Sequence, residues 1–93
     1  MQYDRQHVWQ LLKQYVSSEH LLKHCLAVEI AMRAYAKRFG EDENYWGAVG
    51  LLHDIDFEKY PDDHPHHARE ILQQHGYDDE FITNVESHAR DWP

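Results

Sequence analysis

One cysteine, three prolines and four glycines are all that the 93 residues hold of the types that staple or break a chain. With Cys25 alone, no disulfide framework can form within the chain, so a small stapled secreted scaffold is excluded and a reducing compartment, the cytoplasm, is expected. No apolar stretch approaches the ~20 residues of a membrane span, and the N-terminus lacks a signal-peptide pattern, so no membrane association is expected. Basic residues are scarce too. Nine Lys and Arg stand against seventeen Asp and Glu, for a formal charge of −8. Because the nine are scattered, a generic grip on nucleic-acid phosphates is not expected. Alternation of β-branched residues long enough for a sheet is also missing, which leaves an all-α chain.

Histidine, by contrast, is abundant: nine residues, dispersed along the sequence instead of forming a tag-like run. His7, His20, His66 and His75 are expected on polar helix faces. A hydrophobic content of 42% with 13% aromatics suffices for one small domain over residues 1–93.

Caps and apolar spacing divide the chain into about five helices. Asp4 can cap a first helix whose Val8, Leu11, Leu12, Tyr15 and Val16 make one apolar face. Ser17-Ser18 breaks and recaps the chain. A long helix over 19–39 follows, with Leu21, Cys25, Val28, Met32, Tyr35 and Phe39 alternating in steps of four and three, and Gly40 as its stop. Asp42 opens a third helix through Leu52, in which Gly47, Ala48 and Gly50 would let a neighbour approach closely. Residues 55–63, with Pro61 and several carboxylates, read as a loop leaving the core. Pro65 fits the first turn of a fourth helix carrying Ala68, Ile71 and Leu72 and ending at His75-Gly76. Asp78 caps a fifth, with Phe81, Ile82, Val85 and Ala89 inward.

His53-Asp54 closes the third helix, directly behind the apolar run Val49-Gly50-Leu51-Leu52. His24 lies near the start of the long helix, at the border of its apolar seam. If the two helices pack antiparallel, His24 meets His53 and Asp54, and an imidazole, a second imidazole and a carboxylate converge on one point. Such a set suits a borderline divalent cation.

The order His24, then Leu51-Leu52-His53-Asp54-Ile55, then His64-Pro65-His66-His67-Ala68-Arg69-Glu70-Ile71-Leu72, then Val85-Glu86-Ser87-His88, resembles the HD superfamily of metal-dependent phosphohydrolases over roughly residues 20 to 90. The resemblance implies an all-helical fold and a small phosphate ester or nucleotide as substrate. It also implies a first metal on His24, His53 and Asp54, with Asp54 bridging to a second ion held by His64 and His88. Attack by a metal-bound hydroxide would follow, with the cations neutralising phosphate oxygens. Manganese, iron, cobalt, nickel or zinc suits the imidazole-rich set better than magnesium. Lys59, just after the doublet, is a candidate phosphate contact, and its alternative is a solvated loop lysine.

Two departures accompany the resemblance. Many relatives read His-Asp-Ile-Gly where this chain has Asp56, which is expected to support the site from behind or to face solvent. The superfamily also closes its first metal site with an aspartate on a later helix, and Asp91 is too close to His88 to replace it. A chain truncated before that helix is therefore expected, with self-association through an uncovered groove as a secondary expectation. A different class of function stays open beside the enzyme: a non-catalytic helical module that binds metal or a phosphorylated ligand, or regulates.

Overall fold

Residues 3–64 and 66–91 are described by the computed structural model, residues 66 and 88–91 by their backbone alone. Pro65, proposed for the first turn of the fourth helix, and the inward role of Ala89 lie outside the described residues.

Five helices follow one another: α1 (Arg5–Tyr15), α2 (Glu19–Phe39), α3 (Glu43–Leu52), α4 (His66–Gln74) and α5 (Asp79–Asp91). The all-α expectation holds, with element boundaries set largely by the capping residues. Ser18 Oγ accepts the Leu21 N–H at the start of α2, and Asp42 Oδ1 accepts the N–H groups of Asn44 and Tyr45 at 2.9 and 3.2 Å at the start of α3. Asp78 does the same for the Phe81 N–H at α5. Asp4 differs: it takes the capping position of α1 but contributes its carbonyl, to the Val8 N–H, while its carboxylate makes no capping bond. Gly40 ends α2 at φ 70°, a left-handed conformation that a side chain disfavours.

Inside lie Val8, Leu11, Leu12 and Val16 from the first segment, Cys25, Val28 and Met32 from α2, Ala48 through Leu52 from α3, and Ala68, Leu72, Phe81, Ile82 and Val85 from the last two helices. The expected seam of α2 is corrected at its far end. Tyr35 and Phe39 are exposed and pack on each other, while Ala36 is buried. A stripe in alternating steps of four and three has a period of 3.5, and on a helix of 3.6 residues per turn it drifts by roughly 20° per heptad, so the inward line passes to Ala36.

α2 and α3 run antiparallel, and among the described residues theirs is the most extensive contact between helices. A Cβ on Gly50 would stand 3.0 Å from the Val28 carbonyl oxygen and 3.1 Å from Glu29 Cα, and one on Gly47 would stand 2.6 Å from the Arg33 guanidinium carbon. Glycine weakens a helix by about 1 kcal/mol relative to alanine, and here it permits the approach that sets His24 opposite the end of α3. The segment 55–63 is also corrected in part. Ile55 and Asp56 are fully buried, and only from Phe57 onward does the chain face solvent. Among the described residues no helix is long and apolar enough to cross a membrane.

Candidate metal centre

His53 occupies the C-cap of α3 with helical backbone angles, so its ring turns back along the helix. Its Nδ1 lies 2.6 Å from the Gly50 carbonyl oxygen. A carbonyl can only accept, so Nδ1 carries a proton and the neutral ring keeps its lone pair on Nε2. That Nε2 lies 3.0 Å from Asp54 Oδ2 and 3.2 Å from His24 Nε2, and His24 Nε2 lies 3.2 Å from the same Oδ2. Three potential ligand atoms thus form a nearly equilateral triangle.

The triangle fits a divalent cation. At bond lengths of about 2.1 Å, neighbouring ligands are separated by about 3.0 Å in octahedral and about 3.4 Å in tetrahedral coordination. The chemistry of the donors points the same way. A lone pair on His53 Nε2 facing a carboxylate oxygen at 3.0 Å is repulsive unless a proton or a cation lies between them. His24, His53 and Asp54 are accordingly the residues that would hold the first metal.

His64 approaches Asp54 from the other side, with Nε2 3.0 Å from Oδ1. The two oxygens of Asp54 therefore serve different neighbours, Oδ2 the His24–His53 pair and Oδ1 His64, as a bridging carboxylate would. His64 Nδ1 is 2.6 Å from Asp56 Oδ1. His88, the other expected second-metal residue, has its side chain outside the described residues. Lys59 places its ammonium 5.7 Å over the Tyr15 ring, and no described contact joins it to the cluster.

Access is graded. The side chain of His53 is 2% exposed and that of His24 37%, so the cluster opens on the His24 side. Without a cation, burial pushes the Asp54 carboxyl up, but the hydrogen bond that His53 donates once its Nε2 is also protonated, and the positive charge of the His53, His64 and His24 rings, outweigh it and hold the group below the usual carboxylate range. Beneath the cluster the Cys25 thiol is pushed up to about 12, by burial first and by the Asp54 charge second. A thiol so placed is neutral and a poor ligand or nucleophile.

Two contacts, one of them a support of the site, were not legible as such in the sequence. Glu58 accepts the backbone N–H groups of Ser17 and Ser18 at 2.7–3.1 Å, which ties the turn after the doublet to the α1–α2 corner. Two adjacent serines at a helix start give no sign that a distant carboxylate will bind both. His75, expected on a polar face, is half-buried, with Nε2 3.2 Å from the Tyr15 hydroxyl. A cleft of about 160 Å³ lined by Tyr15, Tyr60, His67, Glu70, Ile71 and Gln74 shares no residue with the cluster. It is smaller than the ~300 Å³ at which small-molecule pockets begin.

Comparison with known proteins bears on the whole of this region. The family model of the HD domain matches residues 21–93. The chain is 34% identical over 86 residues to a tRNA (cytidine(56)-2'-O)-methyltransferase of Thermoplasma volcanium, an alignment that covers 91% of this chain and 25% of that protein. The chain thus spans about a quarter of the length of that relative. No solved structure matches the chain.

Proposed function

Because the chain belongs to the HD domain family, a superfamily of metal-dependent phosphohydrolase type, we propose that it binds a divalent cation and hydrolyses a small phosphate ester or nucleotide. The observation that carries this is the convergence of His24 Nε2, His53 Nε2 and Asp54 Oδ2 within 3.2 Å of one another at the open end of the α2–α3 pair. When bound, the cation would activate water and offset charge on phosphate oxygens.

The chain's own residues supply the rest. His53, fixed by the Gly50 carbonyl, presents a lone pair without needing to reorient. Asp54 brings the negative charge that neutral imidazoles cannot, and its second oxygen is disposed to serve another ion with His64 and His88. His24, on the exposed flank, borders the side from which a phosphate would enter. Lys59 would have to leave the Tyr15 ring to reach a phosphate, and we assign it at most an outer electrostatic contact. Manganese, iron, cobalt, nickel or zinc suits the two imidazoles better than magnesium.

A second reading is a metal- or phosphate-binding module without turnover. It is favoured by one observation: the matching region is a quarter of a relative named for methyl transfer to tRNA. One experiment separates the two. The purified chain is stripped of metal, reloaded with manganese and incubated with a panel of nucleotides and a generic phosphodiester. Product that disappears with chelator supports hydrolysis, ligand binding without product supports the module, an absence of bound metal by elemental analysis overturns hydrolysis, and an absence of both metal and ligand binding overturns both.

A further inference from the structure

Asp56 is fully buried, two residues beyond Asp54, and no role in holding metal falls to it. A carboxylate withdrawn from water needs partners for both oxygens, and both are accounted for. Oδ1 lies 2.6 Å from His64 Nδ1, and Oδ2 accepts the backbone N–H of His67, in the first turn of α4, at 3.2 Å. The far side of the His64 ring, Nε2, meets Asp54 Oδ1 at 3.0 Å. His64 is therefore clamped between two carboxylates, one buried behind it and one at the candidate metal centre.

We infer that Asp56 is a positioning residue: it anchors the start of α4 and holds the His64 ring in the one orientation that aims Nε2 at Asp54. The inference rests on the metal-binding reading above only for its consequence, not for the clamp itself. Aspartate suits the position for a specific reason. Two N–H donors converge on it, from the His64 ring and the His67 backbone, and only a carboxylate offers an acceptor oxygen to each. Asparagine has nearly the same shape but one acceptor, so one donor would face an NH₂ group. Glycine at this position could serve neither donor. Carboxylates behind metal-binding imidazoles typically change metal affinity by about 10–100-fold when removed.

The test uses the full chain and cobalt as the probe. In the metal-free protein, imidazole NMR should show a solvent-protected Nδ1 proton on His64, and Asp56→Ala, which leaves the ring no acceptor, should lose it. Cobalt affinity, followed by calorimetry and by the visible spectrum of the bound ion, should fall by about 10–100-fold in Asp56→Asn. The same change made in a His64→Ala background should have no further effect on cobalt, because Asp56 acts through that ring. A purely structural Asp56, serving only the start of α4, would weaken cobalt binding equally with or without His64, and that result overturns the proposal. An unchanged His64 proton signal in Asp56→Ala overturns it as well. If the unaltered chain binds no cobalt, the metal reading fails, and the His64 proton signal still decides whether Asp56 sets the ring.

Discussion

Two buried or nearly buried carboxylates, Glu29 and Asp54, lie on the same α2–α3 contact and are treated in opposite ways. Glu29 is 4% exposed and meets permanent cations: Arg5 donates to it through two nitrogens at 3.0 and 3.2 Å, and Arg33 through Nε at 2.9 Å. Arg33 continues to the Glu43 carbonyl and the Asn44 side chain, so the network fastens α1, α2 and the start of α3. Among the described residues the Asp54 carboxylate meets only imidazoles, whose charge depends on protonation and whose nitrogens can act as donors or as ligands. The first carboxylate is electrostatically closed by arginines, which suits a joint. The second keeps a need for positive charge that the protein leaves to a proton or a cation, which suits a site.

The sharpest way to break this distinction is Asp54→Asn. It should lower manganese or cobalt affinity by more than about 100-fold, or roughly 2.7 kcal/mol, while stability measured in chelator at neutral pH falls by less than in Glu29→Ala. Metal binding by Asp54→Asn equal to that of the unaltered chain would remove Asp54 from the centre. Glu29→Ala should do the reverse. Breaking a buried ion pair costs about 3–5 kcal/mol, and since Arg5 is half-exposed and can return to water, about 2–3 kcal/mol is expected here. Urea unfolding gives the number, and a metal affinity unchanged in the same variant keeps the two regions separate.

Metal itself should read the difference from the other direction. At a free concentration of 100 times its Kd, a cation that binds only the folded chain adds about 2.7 kcal/mol. That increment should survive Glu29→Ala and vanish in Asp54→Asn. An increment that persists without Asp54 would place the cation elsewhere. Acid provides a milder probe in the metal-free chain. The Asp54 carboxyl is lowered from its ordinary 3.8, so its contribution is present above that value and lost as pH falls through the folded-state value. The stability difference between the unaltered chain and Asp54→Asn should therefore shrink as pH is lowered below 3.8.

Much of this was written in local chemistry. Ser18, Asp42, Asp78 and Gly40 mark helix ends because each satisfies, or frees, backbone groups within three or four residues, and such signals survive any tertiary context. The convergence of His24 with His53-Asp54 was legible for a related reason, since antiparallel packing of two helices leaves few ways to place their ends. What the sequence did not display is whatever depends on partners far along the chain. Asp56 stands between Ile55 and Phe57 in a segment rich in carboxylates, and nothing local says that His64 and the start of α4 will fold over it. Glu29 reads as one more helix-surface acid until Arg5, 24 residues away, reaches it. The drift of the α2 seam to Ala36 was missed because spacing alone does not say whether a helix is straight or supercoiled.

Cys25 offers the finest test, because it lies on α2 between the two carboxylates, one residue from His24 and one turn before Glu29. Its thiol, pushed up to about 12 by burial first and by the Asp54 charge second, carries almost no thiolate at pH 8. Labelling by a thiol reagent should then proceed only through opening of the fold, so its rate should rise in Glu29→Ala, which loosens the α1–α2 joint, by the factor that stability falls. In Asp54→Asn the rate should change much less, because that variant removes only the minor electrostatic cause and leaves burial in place. Equal acceleration in both variants would mean that the cluster around Asp54 also holds the helices together, and the division between joint and site would have to be withdrawn.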